Sequence, residues 1–357
     1  MKKTYIHIIG ARPNFIKAAP IIKKMNKLSD INNIVLHTGQ HYDKNMSEQF
    51  FDDLNIPKPD INLGLGGGSH AVQTADIMKG CENVFEQYNP DLVIVYGDVN
   101  SCVAATLVAS KLGIKIAHVE SGLRSWDRTM PEEINRLVTD TLSDYLFVTC
   151  WDAVSNLRNE GVSKDNIFFV GNTMIDSLVE FEDKFHDEFT HDGEYGLVTI
   201  HRPFTVDNKT RLKELMDALV KVFKEQNIEL MFPLHPRTRN ALIDFNLYET
   251  YVDDISFIEP QGYIDFMSFQ KHAKFIITDS GGVQEESSYF NVPCITVRDN
   301  TERPVTCTEG TNELIGTDYS DIPYHVSKIE YGKKGSINLW DGKASNRIID
   351  ILSEIMV

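Results

Sequence analysis

The sequence contains no long apolar run, no cysteine pair and no excess of basic charge. Within its 357 residues no stretch of 18 apolar residues occurs, which excludes a membrane-spanning helix. Its 5 cysteines are widely spaced and include no CxxC pair, so they predict reduced cytoplasmic thiols and neither a disulfide framework nor a zinc site. The formal net charge of −17 argues against nucleic acid and an anionic membrane surface as partners.

Short apolar segments alternate with amphipathic segments along the chain, a pattern typical of parallel α/β sheets. A polar stretch at 180–194 separates two such series. The two series predict two doubly wound, Rossmann-like domains, at residues 1–178 and 179–343, with a C-terminal helix in 344–357. The predicted strands are Tyr5–Ile9, Ile34–Thr38, Leu92–Tyr96, Ile114–Val119, Tyr145–Thr149, Ile167–Val170, Gly196–Ile200, Glu229–Leu234, Ile255–Ile258, Phe275–Thr278 and Pro293–Val297.

Three acidic residues follow predicted strands or begin a predicted helix in the first series. Ligands of open parallel sheets bind beyond the carboxyl ends of the strands, which is where Asp98 and Glu120 lie in the sequence. Glu132 stands at a predicted helix start, where capping or the helix dipole is the ordinary explanation for a carboxylate. Three such acids in one domain predict a set of proton carriers for general acid–base catalysis, with one held protonated by its neighbours.

The second series supplies cationic and glycine-rich turns after its strands. His201 follows one strand, and Ser280-Gly281-Gly282 joins another to a helix, so that backbone N–H groups and the helix dipole can hold a diphosphate. Glu286 suits two ribose hydroxyls, and Arg303 suits phosphate. The pattern is neither GxGxxG nor a P-loop, so it gives little support to NAD or ATP as a ligand.

Nine motifs occur in a fixed order along nearly the whole chain: GARPNFIK, TGQHYDKNM, GDVNS, HVESGLRS, MPEEINR, GNTMID, HRP, TDSGGVQEE and RDNTERP. Together they resemble the non-hydrolysing UDP-N-acetylglucosamine 2-epimerases. The resemblance implies a GT-B fold, in which two Rossmann-like domains face each other across a cleft and the helix of 344–357 packs back on the first domain. It also implies a cytoplasmic homodimer that acts on a UDP-sugar and needs no cofactor and no metal.

The resemblance implies roles for individual residues. Asp98, Glu120 and Glu132 form the acid–base set, and His201 contacts phosphate as part of the catalytic group. Gln261 and Phe266 lie at the uracil. The full set implied for UDP and substrate binding is Arg12, Lys17, Gln261, Phe266, Ser280, Gly281, Gly282, Glu286 and Arg303.

The implied chemistry is anti elimination of UDP followed by re-addition. Carbon 2 of the sugar has no adjacent carbonyl, so its proton is not acidic enough for simple abstraction. If UDP leaves carbon 1 as the proton leaves carbon 2, the diphosphate carries the developing charge and 2-acetamidoglucal forms. Re-addition with a proton from the opposite face then gives the epimer, and UDP-GlcNAc and UDP-ManNAc are interconverted as precursors of cell-surface polysaccharide.

Two segments depart from the regulated bacterial members of that family. Gly66–His70 replaces a Pro-Gly-Gln type segment, and His201–Thr205 replaces His-Arg-Arg-Glu-Asn. Gln40 and His41 remain without their supposed partners, so the sequence predicts no activation by a second UDP-GlcNAc. The departures also leave another UDP-amino sugar open as substrate, for example UDP-2,3-diacetamido-glucuronate.

Three further functions share the nucleotide site. A hydrolysing 2-epimerase would release free N-acetylmannosamine, but such relatives lack the Arg12-Pro13 and Ile16-Lys17 pairs that this chain has. A GT-B glycosyltransferase would not need all three acids together. A UDP-sugar sensor without catalytic activity stays open if the acids are only helix caps.

Overall fold

The computed structural model describes residues 2–39, 58–185 and 193–355, except for the side chain of Arg12. The chain divides into two compact units, of which one comprises Met1–Phe181 with Asn338–Val357 and the other Glu182–Ile337. The predicted domains instead change at 178/179 and 343/344. The predicted boundary at 178/179 falls inside the helix Thr173–Phe181. The acidic residues at the end of this helix belong to the polar stretch that predicts a linker.

Seven strands form the sheet of the first unit: β1 (Lys3–Ile9), β2 (Ile31–His37), β3 (Ile61–Asn62), β4 (Leu92–Tyr96), β5 (Lys115–Ser121), β6 (Tyr145–Val148) and β7 (Ile167–Phe169). Its helices include α1 (Arg12–Met25), α2 (His70–Tyr88), α3 (Asn100–Leu112), α4 (Pro131–Leu142), α5 (Trp151–Asn159) and α6 (Thr173–Phe181). The strand order is β3-β2-β1-β4-β5-β6-β7 and the paired strands are parallel. The order reverses between β1 and β4, the point at which doubly wound sheets bind ligands.

The central strands of this sheet are apolar because helices cover both faces. β4 has the sequence LVIVY and is buried at every position, as expected of a strand inside a parallel sheet. One apolar cluster joins β1, β2 and β4 to α2 and α3 through residues such as Ile8, Leu36, Val95 and Ala105. This packing fixes the carboxyl ends of β1, β4 and β5 at one edge of the sheet.

Six strands form the sheet of the second unit: β8 (Tyr195–Thr199), β9 (Glu229–Pro233), β10 (Ser256–Ile258), β11 (Phe275–Thr278), β12 (Cys294–Thr296) and β13 (Asn312–Leu314). Its helices include α7 (Pro203–Val206), α8 (Lys209–Gln226), α9 (Pro236–Asp244), α10 (Tyr248–Tyr251), α11 (Tyr263–His272), α12 (Gly281–Phe290), α13 (Val305–Thr308) and α14 (Ile322–Ser327). The order is β10-β9-β8-β11-β12-β13, again parallel, with its reversal between β8 and β11.

The last helix of the chain, α15 (Ala344–Ile355), belongs to the first unit and contacts α1 and α6. Asp176 holds its start by accepting hydrogen bonds from the backbone N–H groups of Ala344 at 2.9 Å and Ser345 at 2.7 Å. Just before this helix, the Trp340 indole N–H donates to the Thr149 carbonyl at 2.9 Å, so the chain returns to the first unit earlier than predicted. Among the helices that the structure describes, none is long and apolar enough to cross a membrane.

Candidate functional site

The carboxyl edge of the first sheet brings Lys17 and Glu120 together. Lys17, in α1, lies with its Nζ 2.6 Å from Oε1 of Glu120, and both side chains are buried. Glu120 has a left-handed backbone (φ +69°) at a bulge near the end of β5. A left-handed non-glycine residue carries strain of about 1–3 kcal/mol and persists where the surroundings enforce it, as they often do at functional sites.

Gly97, at the end of β4, leaves room for this ion pair. Its backbone is left-handed (φ +67°), and a Cβ at this position would lie 3.1 Å from the Lys17 Nζ and 3.5 Å from the Glu120 Oε1. Asn14 fixes the neighbouring turn, because its Nδ2 donates to the Tyr96 carbonyl at 2.7 Å. The loop that carries Asp98 therefore starts beside the Lys17–Glu120 pair.

Asp98, after β4, is held by two residues of α4. Its Oδ2 lies 2.5 Å from an Nη of Arg136, and its carbonyl accepts a 2.8 Å hydrogen bond from the Asn135 side chain. Sequence reasoning assigned no role to Asn135 or Arg136, because nothing in their spacing shows that α4 crosses the end of β4. The carboxylates of Asp98 and Glu120 thus each face a cation.

Glu132 and Glu133 stand side by side at the start of α4 but differ in surroundings. Glu132 is half-buried and has no hydrogen-bond or ion-pair partner within the described part of the chain. Glu133 is buried and accepts bonds from the backbone N–H groups of Ser125 and Trp126, both at 3.0 Å. Its role is to hold the preceding loop, which leaves Glu132 as the candidate proton carrier of the two.

A network of buried hydrogen bonds holds the backbone on both sides of the bulge at Glu120. The His118 ring bridges Asp140 at 2.6 Å and the Gly97 carbonyl at 2.8 Å, and Asp140 also accepts from the Gly122 N–H at 3.0 Å. Burial alone would raise the pKa of Asp140, but His118 and Arg124 beside it outweigh burial and hold this pKa below its ordinary value. Asp140 is therefore a structural anion and not a further proton donor.

At the carboxyl edge of the second sheet, Asp279 organises the turn after β8. It accepts hydrogen bonds from the backbone N–H groups of His201 and Arg202, and the His201 Nδ1 lies 2.9 Å from its Oδ1. Burial would raise the pKa of Asp279, but these donors outweigh it and the pKa lies below its ordinary value. The His201 ring is thereby oriented while 41% of its side chain stays exposed.

The N-terminus of α12 follows β11 in the way that the glycine-rich turn predicts. Ser280 is the N-cap residue, and its side chain makes no capping hydrogen bond. Gly281 is buried against the next turn, since a Cβ there would lie 2.6 Å from the Arg303 Nη1 and 2.8 Å from the Glu302 Oε1. Gly282 follows and is half-buried. A side chain at 281 would therefore displace the ends of the Arg303 and Glu302 side chains.

Arg303 is buried in a network of carboxylates. Its Nε lies 2.9 Å from the Glu285 Oε1, and its Nη1 pairs with Glu302. Arg298, two residues beyond β12, is also buried and pairs with Glu302 at 3.0 Å. The Nη1 of Arg298 has no hydrogen-bond partner among the described atoms, in keeping with the prediction that the arginines of the RDNTERP motif are placed to meet phosphate. Burial lowers its pKa, although Glu302 opposes that shift.

Glu286 lies in α12, and the predicted uracil residues lie in or just before α11. Burial raises the pKa of Glu286 to about 7, partly offset by a 2.6 Å hydrogen bond from Gln270. Gln261 precedes α11 and donates to the Glu259 carbonyl at 2.6 Å. Phe266, within α11, packs against the apolar cluster that includes Met267 and Val283 and is half-buried. The roles of these three side chains in nucleotide binding stay predictions.

A family model described as "UDP-N-acetylglucosamine 2-epimerase" matches residues 23–353. The chain is 42% identical over 358 residues to the UDP-N-acetylglucosamine 2-epimerase of Methanocaldococcus jannaschii, with 97% of this chain and 98% of the relative covered. The chain belongs to the UDP-N-acetylglucosamine 2-epimerase family. The family predicted from the nine motifs is therefore confirmed.

The chain is also similar to a relative with a different substrate in its name and to a solved structure. The UDP-2,3-diacetamido-2,3-dideoxy-D-glucuronate 2-epimerase of Pseudomonas aeruginosa is 39% identical over 98% of this chain and 99% of its own. The crystal structure of the Methanocaldococcus jannaschii UDP-GlcNAc 2-epimerase in complex with UDP-GlcNAc and UDP matches with a TM-score of 0.89 and 41% identity, over 98% of this chain and 99% of the other. The predicted α/β fold with two parallel sheets is confirmed.

Some residues predicted for the epimerase site lie outside what the structure describes. Arg12 begins α1, but its side chain is not described. Gln40 and His41 fall in 40–57, outside the described ranges. Within those ranges, no group of three or more His, Cys, Asp or Glu residues is arranged to hold a metal ion.

Proposed function

We propose that the chain is a non-hydrolysing 2-epimerase that interconverts UDP-GlcNAc and UDP-ManNAc by elimination and re-addition of UDP. The observation that carries this proposal is the placement of Asp98 and Glu120 at the carboxyl ends of adjacent strands, each against a buried cation. A chain of this family with two fixed carboxylates beside the sheet edge is equipped to move protons at a bound sugar.

The first step removes the proton at carbon 2 as the C1–O bond breaks. One carboxylate of the set Asp98, Glu120 and Glu132 takes the proton, and the electron pair of the C1–O bond moves to the β-phosphate of UDP. The C–H electron pair becomes the C1=C2 double bond of 2-acetamidoglucal. The proton leaves at a useful rate only if the departing diphosphate is stabilised, which is the larger share of the catalytic task.

We assign that stabilisation to cations and N–H groups of the second unit, and Arg12 and Lys17 stay predicted substrate-binding residues of the first. His201, Gly281 and Gly282 stand at the ends of β8 and β11, where a sheet of this order binds its ligand. Arg298 supports the assignment, because its buried Nη1 lacks a partner within the described chain. These local donors explain how a chain of net charge −17 can bind a diphosphate.

The second step returns UDP to carbon 1 and delivers a proton to the opposite face of carbon 2. The oxygen of the β-phosphate forms the new C1–O bond, and a second group of the acid–base set gives the proton. Re-addition by UDP, and not by water, distinguishes this reaction from the hydrolysing one. We expect the enzyme to work in the cytoplasm as a homodimer and to supply precursors of cell-surface polysaccharide.

UDP-2,3-diacetamido-glucuronate is the second candidate substrate, because the relative with that activity in its name covers the chain at 39% identity. Both sugars should be offered to the purified protein and the products identified by proton NMR. Conversion of UDP-GlcNAc to UDP-ManNAc supports the proposal. Conversion of the diacetamido sugar alone would change the substrate, and free N-acetylmannosamine as the first product would make the enzyme hydrolysing.

Variants then test the assigned acids one at a time. Asp98→Asn, Glu120→Gln and Glu132→Gln each keep the shape of the side chain and remove its proton transfer, a loss typically of about 10²–10⁴-fold in turnover. Binding of UDP, measured by calorimetry, should stay near that of the unaltered protein because other residues hold the diphosphate. Full activity in all three variants would refute the acid–base assignment.

A further inference from the structure

Arg136 joins Asp98 to the loop that precedes α4. The side chain is only 3% exposed, and its two terminal nitrogens reach different carboxylates. One lies 2.5 Å from the Asp98 Oδ2 and the other lies 2.7 Å from the Glu133 Oε2. A guanidinium can make both contacts at once because its nitrogens form a rigid fork, whereas a lysine ammonium offers one point of charge.

Glu133 in turn fixes the loop. Its carboxylate accepts from two successive backbone N–H groups, those of Ser125 and Trp126, and from the Ser125 hydroxyl at 3.0 Å. Trp126 has a left-handed backbone (φ +61°), and its side chain is 69% exposed. An aromatic residue rarely adopts this backbone, so the loop conformation depends on the hydrogen bonds that Ser125 and Trp126 donate to Glu133.

The backbone of Asp98 is fixed separately, by the hydrogen bond from the Asn135 side chain to its carbonyl. The contact with Arg136 restricts the rotation of the Asp98 side chain. The same contact favours the ionised carboxylate, because a positive charge at this distance stabilises the charged form.

We infer that Arg136 is a positioning residue, which holds the Asp98 carboxylate ionised and in one orientation and ties it to the Ser125–Trp126 loop. The inference rests on the proposed function, in which Asp98 takes part in proton transfer at the sugar. It assigns to Arg136 an effect on proton transfer that acts through Asp98 and involves no contact with the nucleotide.

Several other titratable groups lie near Asp98 in the described part of the chain. Lys17 of α1 is paired at 2.6 Å with Glu120 near the end of the neighbouring strand β5. Glu133 carries the same sign as Asp98 and shares the guanidinium with it. The Cys102 thiol nearby is buried, which raises its pKa to about 12, so it stays neutral.

The test compares Arg136→Gln and Arg136→Lys with the unaltered enzyme in the conversion of UDP-GlcNAc across a range of pH. For Arg136→Gln, we expect kcat to fall at least about tenfold and the acidic limb of the kcat/KM profile to move upward by about one to three pH units. Arg136→Lys should restore most of the pH profile and part of kcat. Affinity for UDP should stay within about twofold in both variants, because the inferred role does not touch the nucleotide.

Two controls separate positioning from a general loss of stability. Arg347→Gln removes a guanidinium of the first unit that pairs with Asp341, so it should lower thermal stability without moving the pH profile. In an Asp98→Asn background, Arg136→Gln should reduce turnover by no more than about twofold further, since the two residues act as one unit.

An Arg136→Gln enzyme whose profile coincides with that of the unaltered enzyme, while its melting temperature falls, would overturn the inference and leave Arg136 a structural residue. The inference would also be overturned if Arg136→Gln lowered turnover by the same factor in the Asp98→Asn background as in the unaltered enzyme. If the unaltered protein converts neither UDP-amino sugar, the proposed function itself fails, and this outcome is recognised before any variant is made.

Discussion

Replacing Glu286 by glutamine should change how stability depends on pH. The carboxyl is buried in α12, and burial raises its pKa from 4.5 to about 7. At pH values between 4.5 and about 7, this carboxyl therefore binds more protons in the folded protein than in the unfolded chain. Stability is therefore lost as the pH rises from about 4.5 to 7, and the loss is complete above that range.

The magnitude follows from the shift itself. Each pKa unit corresponds to about 1.4 kcal/mol, so a rise from 4.5 to about 7 corresponds to an ionisation cost on the order of 3 kcal/mol. Glu286→Gln removes the ionisation and keeps the shape, and its amide oxygen can still accept from Gln270. The variant should match the unaltered protein near pH 5 and be more stable by up to about 3 kcal/mol at pH 8.

Urea unfolding followed by circular dichroism at pH 5, 6, 7 and 8 measures this difference. Glu214→Gln is the matched control, because Glu214 lies exposed on α8 of the same unit and should give no pH-dependent difference. Curves of Glu286→Gln and the unaltered protein that stay parallel at every pH would show that Glu286 is not held protonated. A variant less stable at pH 8 would contradict the reasoning outright.

Three further predictions follow from the packing and from the sequence. Gly281→Ala should weaken UDP binding at least about tenfold by calorimetry, because its Cβ would press on Arg303 and Glu302; unchanged affinity would place the diphosphate elsewhere. Asp176→Ala should release the start of α15 and destabilise the protein by about 1–3 kcal/mol in urea, since buried N–H groups lose their acceptor; an unchanged midpoint would show that the helix is held by apolar contacts alone. Initial rates with UDP-GlcNAc should be hyperbolic and UDP-ManNAc alone should be converted, because the supposed partners of Gln40 and His41 are missing; a sigmoidal curve would show that regulation persists.

The strands that sequence reasoning located best are those buried on both faces. β4 and β11 have the predicted bounds, since each is an apolar run between polar turns. The short edge strands β3 and β13 were not predicted. β3 has only two residues, Ile61–Asn62, and β13 has the sequence NEL, so neither gives an apolar run. Edge strands bury less surface and leave a weaker pattern.

The candidate site was predictable as a set of polar residues after strands, but not as a set of partners. Lys17 and Glu120 are 103 positions apart, and Arg136 and Asp98 are 38 apart, so only the fold reveals that each carboxylate has a cation. Asp279, just before the predicted Ser280-Gly281-Gly282 turn, accepts hydrogen bonds from the backbone of His201 and Arg202, a contact that no local spacing reveals. Local spacing identifies candidate chemistry, while the crossing of helices and strands decides the pairing.

Deuterium incorporation during turnover tests the central claim most directly. The purified protein is incubated with UDP-GlcNAc in deuterium oxide, and the products are followed by proton NMR. Elimination and re-addition predict that the UDP-ManNAc formed carries deuterium at carbon 2, with slow appearance of free UDP and 2-acetamidoglucal. UDP-ManNAc that retains its original hydrogen at carbon 2 would contradict the account, because no proton of that carbon would then have exchanged through Asp98, Glu120 or Glu132.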